Sequence, residues 1–177
     1  MNNNKVRDIL LFLPANDFNE HEFLVIKNGL RDAELKYFIL SDTSSLCVGS
    51  NGLKVKPDMM LYNANARNFA GMILCGGNGA KRYWSNQTLH RLIKDFRSSP
   101  TKILGAICNS AVTAARAGVI TEKAVCYPEF KGEIEKEGVK FIDQPVVFDK
   151  NIITAREQSS SCEFISSYIA HISKFLE

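Results

Sequence analysis

Lys102–Ala117 reads KILGAICNSAVTAARA, and the architecture of the chain follows from how this stretch breaks in two. A short apolar run (Ile103, Leu104, Ala106, Ile107) stops at Cys108, an Ala-rich helical pattern begins at once, and Gly118 supplies a helix stop. A strand that turns sharply into a helix needs small residues about the turn, and Ala106 and Ser110 stand two positions either side of the cysteine. That is the steric logic of a nucleophile elbow, in which a strained turn lifts one side chain clear of a sheet. The start of a helix beneath the sulfur favours negative charge, so the Cys108 thiolate is expected to form more readily than in a free cysteine. The plainer alternative is a buried cysteine that merely ends a strand, as cysteine is among the most buried residue types.

Outward from this turn, strand and helix patterns alternate. Ile9–Leu13 is a continuous apolar run, as in a central parallel strand, and Phe23, Ile26, Leu30 and Ala33 then recur at helical spacing. Leu35–Leu40 reads as a strand, residues 46–56 as a short hairpin turning at Ser50-Asn51-Gly52, and Ala70–Cys75 as a buried strand ending in Gly76-Gly77. Leu89, Leu92, Ile93 and Phe96 mark an amphipathic helix capped near Ser85 or Asn86. Glu129–Glu137 reads as a short surface helix, Val146–Phe148 pairs with Ile152–Ala155, and Phe164, Ile165, Tyr168, Ile169, Ile172 and Phe175 stripe a last helix. The alternation predicts one α/β domain over residues 1–177, with a mostly parallel sheet and helices on both faces. Ligands of such sheets bind beyond the carboxyl ends of the strands, where the loops Pro14–Glu22, Gly76–Gly79 and the cysteine turn are expected to converge.

Size and composition narrow the functional classes. The 177 residues are 45% hydrophobic and 23% charged, enough to bury a core, and the net charge of +3 comes without a long basic run. Nucleic-acid and membrane-surface binding are therefore not expected. The five cysteines (Cys47, Cys75, Cys108, Cys126, Cys162) form neither a CxxC pair nor a zinc spacing. They fit a reducing compartment better than a disulfide framework. The start MNNNKVRD is polar, and the following apolar run falls far short of the roughly 20 residues of a membrane span, so a cytoplasmic location is expected.

Glu22 shares a helical face with Ile26, Gly29, Leu30 and Ala33, so its carboxyl is expected to be partly buried against the sheet. Burial raises a carboxyl pKa and would keep a neutral acid at neutral pH, whereas an acid near a helix start is also simply favoured by the helix dipole. The Gly76-Gly77 pair permits close backbone approach, with N–H groups free to hold an oxyanion, or it is an ordinary strand-ending turn. Of the three histidines, His171 shares the stripe of the last helix and reads as packed, and His90 reads as exposed. His21, beside Glu22, lines a cleft mouth or a subunit contact. None is near Cys108 in sequence, so a Cys–His pair would have to be made by folding. Cys75 stands on a neighbouring strand end, where a regulatory disulfide with Cys108 is conceivable.

These residues in this order resemble a known family. Asp17-Phe18-Asn19-Glu20-His21-Glu22, then Cys75-Gly76-Gly77, then Ala106-Ile107-Cys108-Asn109-Ser110, then Ile153-Thr154-Ala155-Arg156, resemble the ThiJ/PfpI family, which includes the Parkinson-disease protein deglycase. The likeness runs from about Asp8 to about Phe175, and Val55-Lys56-Pro57-Asp58 also matches. It implies a flavodoxin-like three-layer sandwich, a homodimer, and no metal or organic cofactor. It implies that Cys108 is the nucleophile, that Glu22 hydrogen-bonds its sulfur, and that the backbone N–H groups of Gly77 and Asn109 form the oxyanion site. His21, Gly76, Cys75 and Tyr127 become candidates to line the cleft. The chain also departs from the family pattern. Asn109 replaces the histidine that follows the cysteine in hydrolase-like branches. Tyr127 stands where the deglycase branch has a histidine, and Asn51 roughly where it has an arginine. Cys75 and Gln158 replace family prolines.

What the resemblance implies is a cofactor-independent, glyoxalase- or deglycase-like enzyme acting on small reactive carbonyls through Cys108 and Glu22. An alternative is an oxidative-stress sensor or chaperone-like protein with an oxidisable Cys108 and little turnover. A Cys-dependent amidase or peptidase is the weakest reading, because it needs an imidazole brought within reach of the sulfur.

Overall fold

The structure, a computed structural model, describes residues 7–176; the first six residues of the polar start noted above lie outside that range. Ile9–Phe12 forms β1, followed by the short β2 (Asn16–Phe18) and helix α1 (Glu20–Asp32). Tyr37–Ser41 is β3, the expected hairpin is β4 (Cys47–Gly49) with β5 (Lys54–Val55), and Met59–Met60 is β6. Then come β7 (Gly71–Leu74), α2 (Gln87–Arg97), β8 (Ile103–Ile107) and α3 (Ser110–Arg116). A small excursion of β9 (Lys123–Ala124), α4 (Lys131–Glu135) and β10 (Lys140–Phe141) precedes β11 (Val146–Asp149), β12 (Ile152–Ala155) and α5 (Ser161–Leu176).

Seven strands make the main sheet, in the order β11-β12-β8-β7-β1-β3-β6. All are parallel except β11, which returns antiparallel to β12 through a tight turn with Lys150 at φ 58°. Side chains alternate across this sheet, and the alternation builds two separate cores. Leu10, Phe12, Met72, Leu74, Leu104 and Ala106 pack beneath α2 and α3. Ile9, Leu11, Ile73, Ile103, Ile107 and Ile153 pack beneath α1 and α5. Each such side chain taken from water stabilises the fold by about 1.5–3 kcal/mol, which is why the central strands are apolar on both faces. The chain is thus a mostly parallel, flavodoxin-like three-layer sandwich, as its alternating pattern and its family resemblance predict.

Helix starts are set by side chains. The Asn19 side chain accepts from the Glu22 N–H at 3.1 Å, and the Asn86 side chain from the Leu89 N–H at 2.9 Å, so Asn86 rather than Ser85 caps α2. His90, expected to be exposed, is buried: its Nε2 lies 3.0 Å from the Trp84 carbonyl oxygen, because the chain before α2 folds back over the helix start. The segments without a sequence signal are β2, β6, the β9–β10 pair and the 3₁₀ turns of Asn78–Tyr83, all too short to show a period. Among the described residues, no helix is long and apolar enough to cross a membrane.

The α5 face is held by Tyr168, fully buried, whose hydroxyl donates to the Ile103 carbonyl at 3.2 Å. It fills the space left by Gly71, where an added Cβ would stand 2.1 Å from that hydroxyl and 2.9 Å from the Ile103 carbonyl oxygen. Gly71→Ala is therefore expected to lower stability by about 1–3 kcal/mol, read as a lower denaturant midpoint in chemical unfolding.

Candidate active site

Strand β8 ends at Ile107 and α3 begins at Ser110, leaving Cys108 and Asn109 to make the turn. Cys108 has φ 59°, the left-handed region that a residue with a Cβ enters at a cost of about 1–2 kcal/mol. Several hydrogen bonds hold it there. The Cys108 N–H donates to Ala155 of β12 at 2.9 Å, and the Ser110 hydroxyl donates to the Cys75 carbonyl at the end of β7 at 2.6 Å. The Trp84 indole N–H donates to the Asn109 carbonyl at 2.9 Å, and the Asn109 side chain donates to the Gly77 carbonyl at 3.0 Å. The sequence reading of an elbow is thus the backbone geometry observed.

Glu22 comes to the sulfur from α1. Its carboxyl is completely buried, more than the partial burial expected, and Oε2 accepts from the Gly76 N–H at 2.9 Å. Its other oxygen, Oε1, is buried without a hydrogen-bond partner, and the Cys108 thiol, near enough to lower the carboxyl's pKa, donates to Asn109 Oδ1 at 3.7 Å. The backbone N–H groups of Asn109 and Gly77 also bear on the sulfur. Two glycines make this approach possible. A Cβ on Gly76 would stand 2.6 Å from Glu22 Oε2 and 2.8 Å from Cys108 Cβ. Gly77 has φ 105°, and a Cβ there would meet the Asn19 backbone nitrogen at 2.4 Å.

Above the sulfur opens a cleft of about 380 Å³, whose floor and near wall include Glu22, Gly77, Cys108 and Asn109. All three loops expected at the strand ends reach it, through Asn19 and Glu22, Gly77 and Asn78, and Cys108 and Asn109. The remaining wall comes from two irregular segments, Tyr127 with Glu129 and Phe130, and Glu157 with Gln158. Of these only Tyr127 was expected. Phe130 packs edge-on against Trp84, ring centres 5.1 Å apart, and Gln158 accepts from the Asn19 side chain at 3.1 Å.

Three of the candidate lining residues do not line the cleft. His21 is exposed on α1, because pointing Glu22 at the sheet turns its neighbour about 100° toward solvent. Gly76 and Cys75 lie buried behind the cleft wall, and the Cys75 thiol donates to the Asn19 carbonyl at 3.7 Å. His90 and His171 are held elsewhere, by Trp84 and by Phe148 and Phe175, so no histidine of this chain lines the cleft. All five cysteines are free, and no cluster of metal-ligating side chains occurs among the described residues.

The electrostatics correct one expectation. Burial pushes the Glu22 carboxyl up to about 8, against the pull of the Gly76 N–H and the Cys108 thiol. Burial, and next the charge of Glu22, push the Cys108 thiol well above its ordinary value, while the Asn109 and Gly77 N–H groups oppose the rise. The thiol is therefore not lowered as the helix start alone predicts, because only 7% of Cys108 is exposed and desolvation exceeds the dipole. Carboxyl and thiol act as one coupled pair that gives up its first proton near pH 8.

A flavodoxin-like sandwich with a cysteine on a left-handed turn and a buried carboxylic acid beside it defines the class. The chain belongs to the DJ-1/PfpI family, which it matches over residues 7–171. It is 34% identical to an uncharacterized protein of Methanocaldococcus jannaschii over 87% of this chain and 77% of that one. It is 33% identical to the glutathione-independent glyoxalase DJ-1 of Schizosaccharomyces pombe over 50% of this chain and 47% of that one. It is 28% identical to a deglycase of Pyrococcus horikoshii over 83% and 89% of the two chains. A ThiJ/PfpI domain protein from Brachyspira murdochii shares the fold with a TM-score of 0.92 at 22% identity, over 96% of this chain and 98% of that one.

Burial of Glu22 has a stability consequence of definite sign. The carboxyl ionises near 4.5 when unfolded and near 8 when folded. Between those values the folded state binds a proton that the unfolded state has released, so its stability falls as pH rises. Glu22→Gln, which cannot ionise, should gain on the wild-type protein from pH 5 to pH 8, by on the order of 5 kcal/mol at the limit. Paired denaturant titrations across that range measure the difference.

Proposed function

We propose that the protein converts small reactive 2-oxoaldehydes, methylglyoxal among them, to 2-hydroxy acids without an added cofactor, using Cys108 and Glu22. The observation that carries this reading is the meeting of a fully buried Glu22 carboxyl with the Cys108 sulfur, on which the Gly77 and Asn109 N–H groups bear. A cleft of about 380 Å³ suits a small molecule. The relatives named glyoxalase and deglycase support the same chemistry.

The aldehyde oxygen lies toward the Gly77 and Asn109 N–H groups, which stabilise the charge that develops on it. Sulfur bonds to the aldehyde carbon while the thiol proton passes to the Glu22 carboxylate and on to the oxygen, leaving a hemithioacetal. Glu22, again ionised, takes the proton from that carbon and returns it to the neighbouring carbon while the hydroxyl proton passes to the former ketone oxygen, so the former ketone becomes an alcohol and the former aldehyde a thioester. Water attacks the thioester, the sulfur leaves and is reprotonated, and the hydroxy acid departs. Removal of a sugar-derived adduct from an amine would begin with the same attack and differ in its leaving group.

Cys108→Ala should abolish methylglyoxal turnover, and Glu22→Gln should lower kcat by about 10²–10⁴-fold. Because the reactive form is the pair lacking one proton, kcat/KM of the wild-type protein should rise with pH, reach half its maximum near 8 and level off above that. Formation of lactate measured across pH checks both. Turnover by Cys108→Ala at the wild-type rate would refute the reading.

A further inference from the structure

Cys75 is the buried nucleophilic group that this chemistry leaves unused. It follows β7, and Cys108 follows β8, the adjacent parallel strand. Leu74 pairs with Ala106, so the register sets Cys75 beside Ile107, one residue short of Cys108. In continued strand geometry Cys108 would point away from Cys75, toward the α2 and α3 face. The left-handed turn at Cys108 reverses this, and both cysteines belong to the apolar cluster on the α1 and α5 face. Strand spacing and rise place the Cα atoms of such diagonal neighbours about 6 Å apart, within the range that a disulfide spans. Between the two stands Gly76, which has no side chain to separate them.

We propose that Cys75 is a resolving cysteine: after a hydroperoxide oxidises Cys108, the Cys75 thiol captures the product in an internal Cys75–Cys108 disulfide. The two positions differ in access as this sequence requires. Cys108 lines the cleft, whereas Cys75 is completely buried behind its wall, so a hydroperoxide meets Cys108 first. Cys108–SH and the hydroperoxide give Cys108–SOH and an alcohol, or water when the oxidant is hydrogen peroxide. Cys75 sulfur then attacks the Cys108 sulfur, hydroxide leaves, and the Cys75 proton converts it to water. Burial above all, then the charges of Glu22 and of Cys108, raise the Cys75 thiol. The disulfide silences the nucleophile reversibly and diverts it from the irreversible sulfinic acid. This role goes beyond carbonyl turnover and is tested without measuring it.

The test is peptide mapping of the whole protein after brief treatment with hydrogen peroxide, blocking of free thiols in denaturant, and tryptic digestion without reductant. Cys75 and Cys108 fall in separate peptides, residues 68–81 and 103–116, each with a single cysteine. The expected product is these two peptides joined, lighter than their sum by two hydrogens and separated again by dithiothreitol. In Cys75→Ser and Cys75→Ala the joined product is absent and Cys108 runs on to sulfinic acid at the same peroxide dose. The proposal is overturned if wild-type Cys108 becomes sulfinic acid while Cys75 is recovered as a blocked thiol. It is equally overturned if Cys108 stays reduced while the exposed Cys162 oxidises.

Discussion

The left-handed backbone at Cys108 is the constraint on which the rest of the site depends. Without it the strand would carry the side chain to the α2 face, away from Glu22, and no cysteine would face the cleft. The conformation is unfavourable in isolation and persists because neighbouring elements over-determine it. β12 receives the Cys108 N–H, β7 receives the Ser110 hydroxyl, and the Trp84 indole and the Asn109 side chain tie the following peptide to the loops beside it. Six parallel strands, the central ones buried on both faces, are the rigid body against which this local strain is held.

The second determinant is dryness. A carboxyl completely removed from water holds its proton to about pH 8, and the same burial holds the proton on sulfur. Neither group is reactive in its fully protonated state. What the geometry provides is a single proton deficit shared between them, with two backbone N–H groups ready to stabilise charge at or beyond the sulfur. In the reaction proposed above, one buried acid serves as acceptor and donor in turn, where many cysteine enzymes use a histidine.

The legible parts of this structure are those whose physics is local. Runs such as Ile9–Leu13 and stripes such as Leu89, Leu92, Ile93 and Phe96 are long enough to show a period, and they fold as read. The elbow is legible because a strand ending in a cysteine with small flanking residues leaves few alternatives, and Glu22 because its place on the apolar stripe of α1 forces it inward. The Gly76-Gly77 pair was legible as a backbone-donor candidate after a strand, whereas the family resemblance supplied Asn109 and Tyr127, which no spacing marks. Phe130, Glu157 and Gln158 were not legible, since they belong to irregular segments whose position is set by packing on Trp84 and Asn19. Of the two places open to His21, helix rotation removes the cleft mouth, one step away from Glu22. The direction of the Cys108 shift was missed because a sequence displays the start of a helix but not the depth at which the sulfur lies.

The central claim is that Glu22 and Cys108 titrate as one unit, and the rate of Cys108 alkylation by iodoacetamide as a function of pH tests it without regard to substrate. In the wild-type protein the rate should rise with a midpoint near pH 8. In Glu22→Gln, where burial acts on the thiol alone, the rise should move above the ordinary cysteine value of about 8.5. Superimposable profiles for the two proteins would contradict the account.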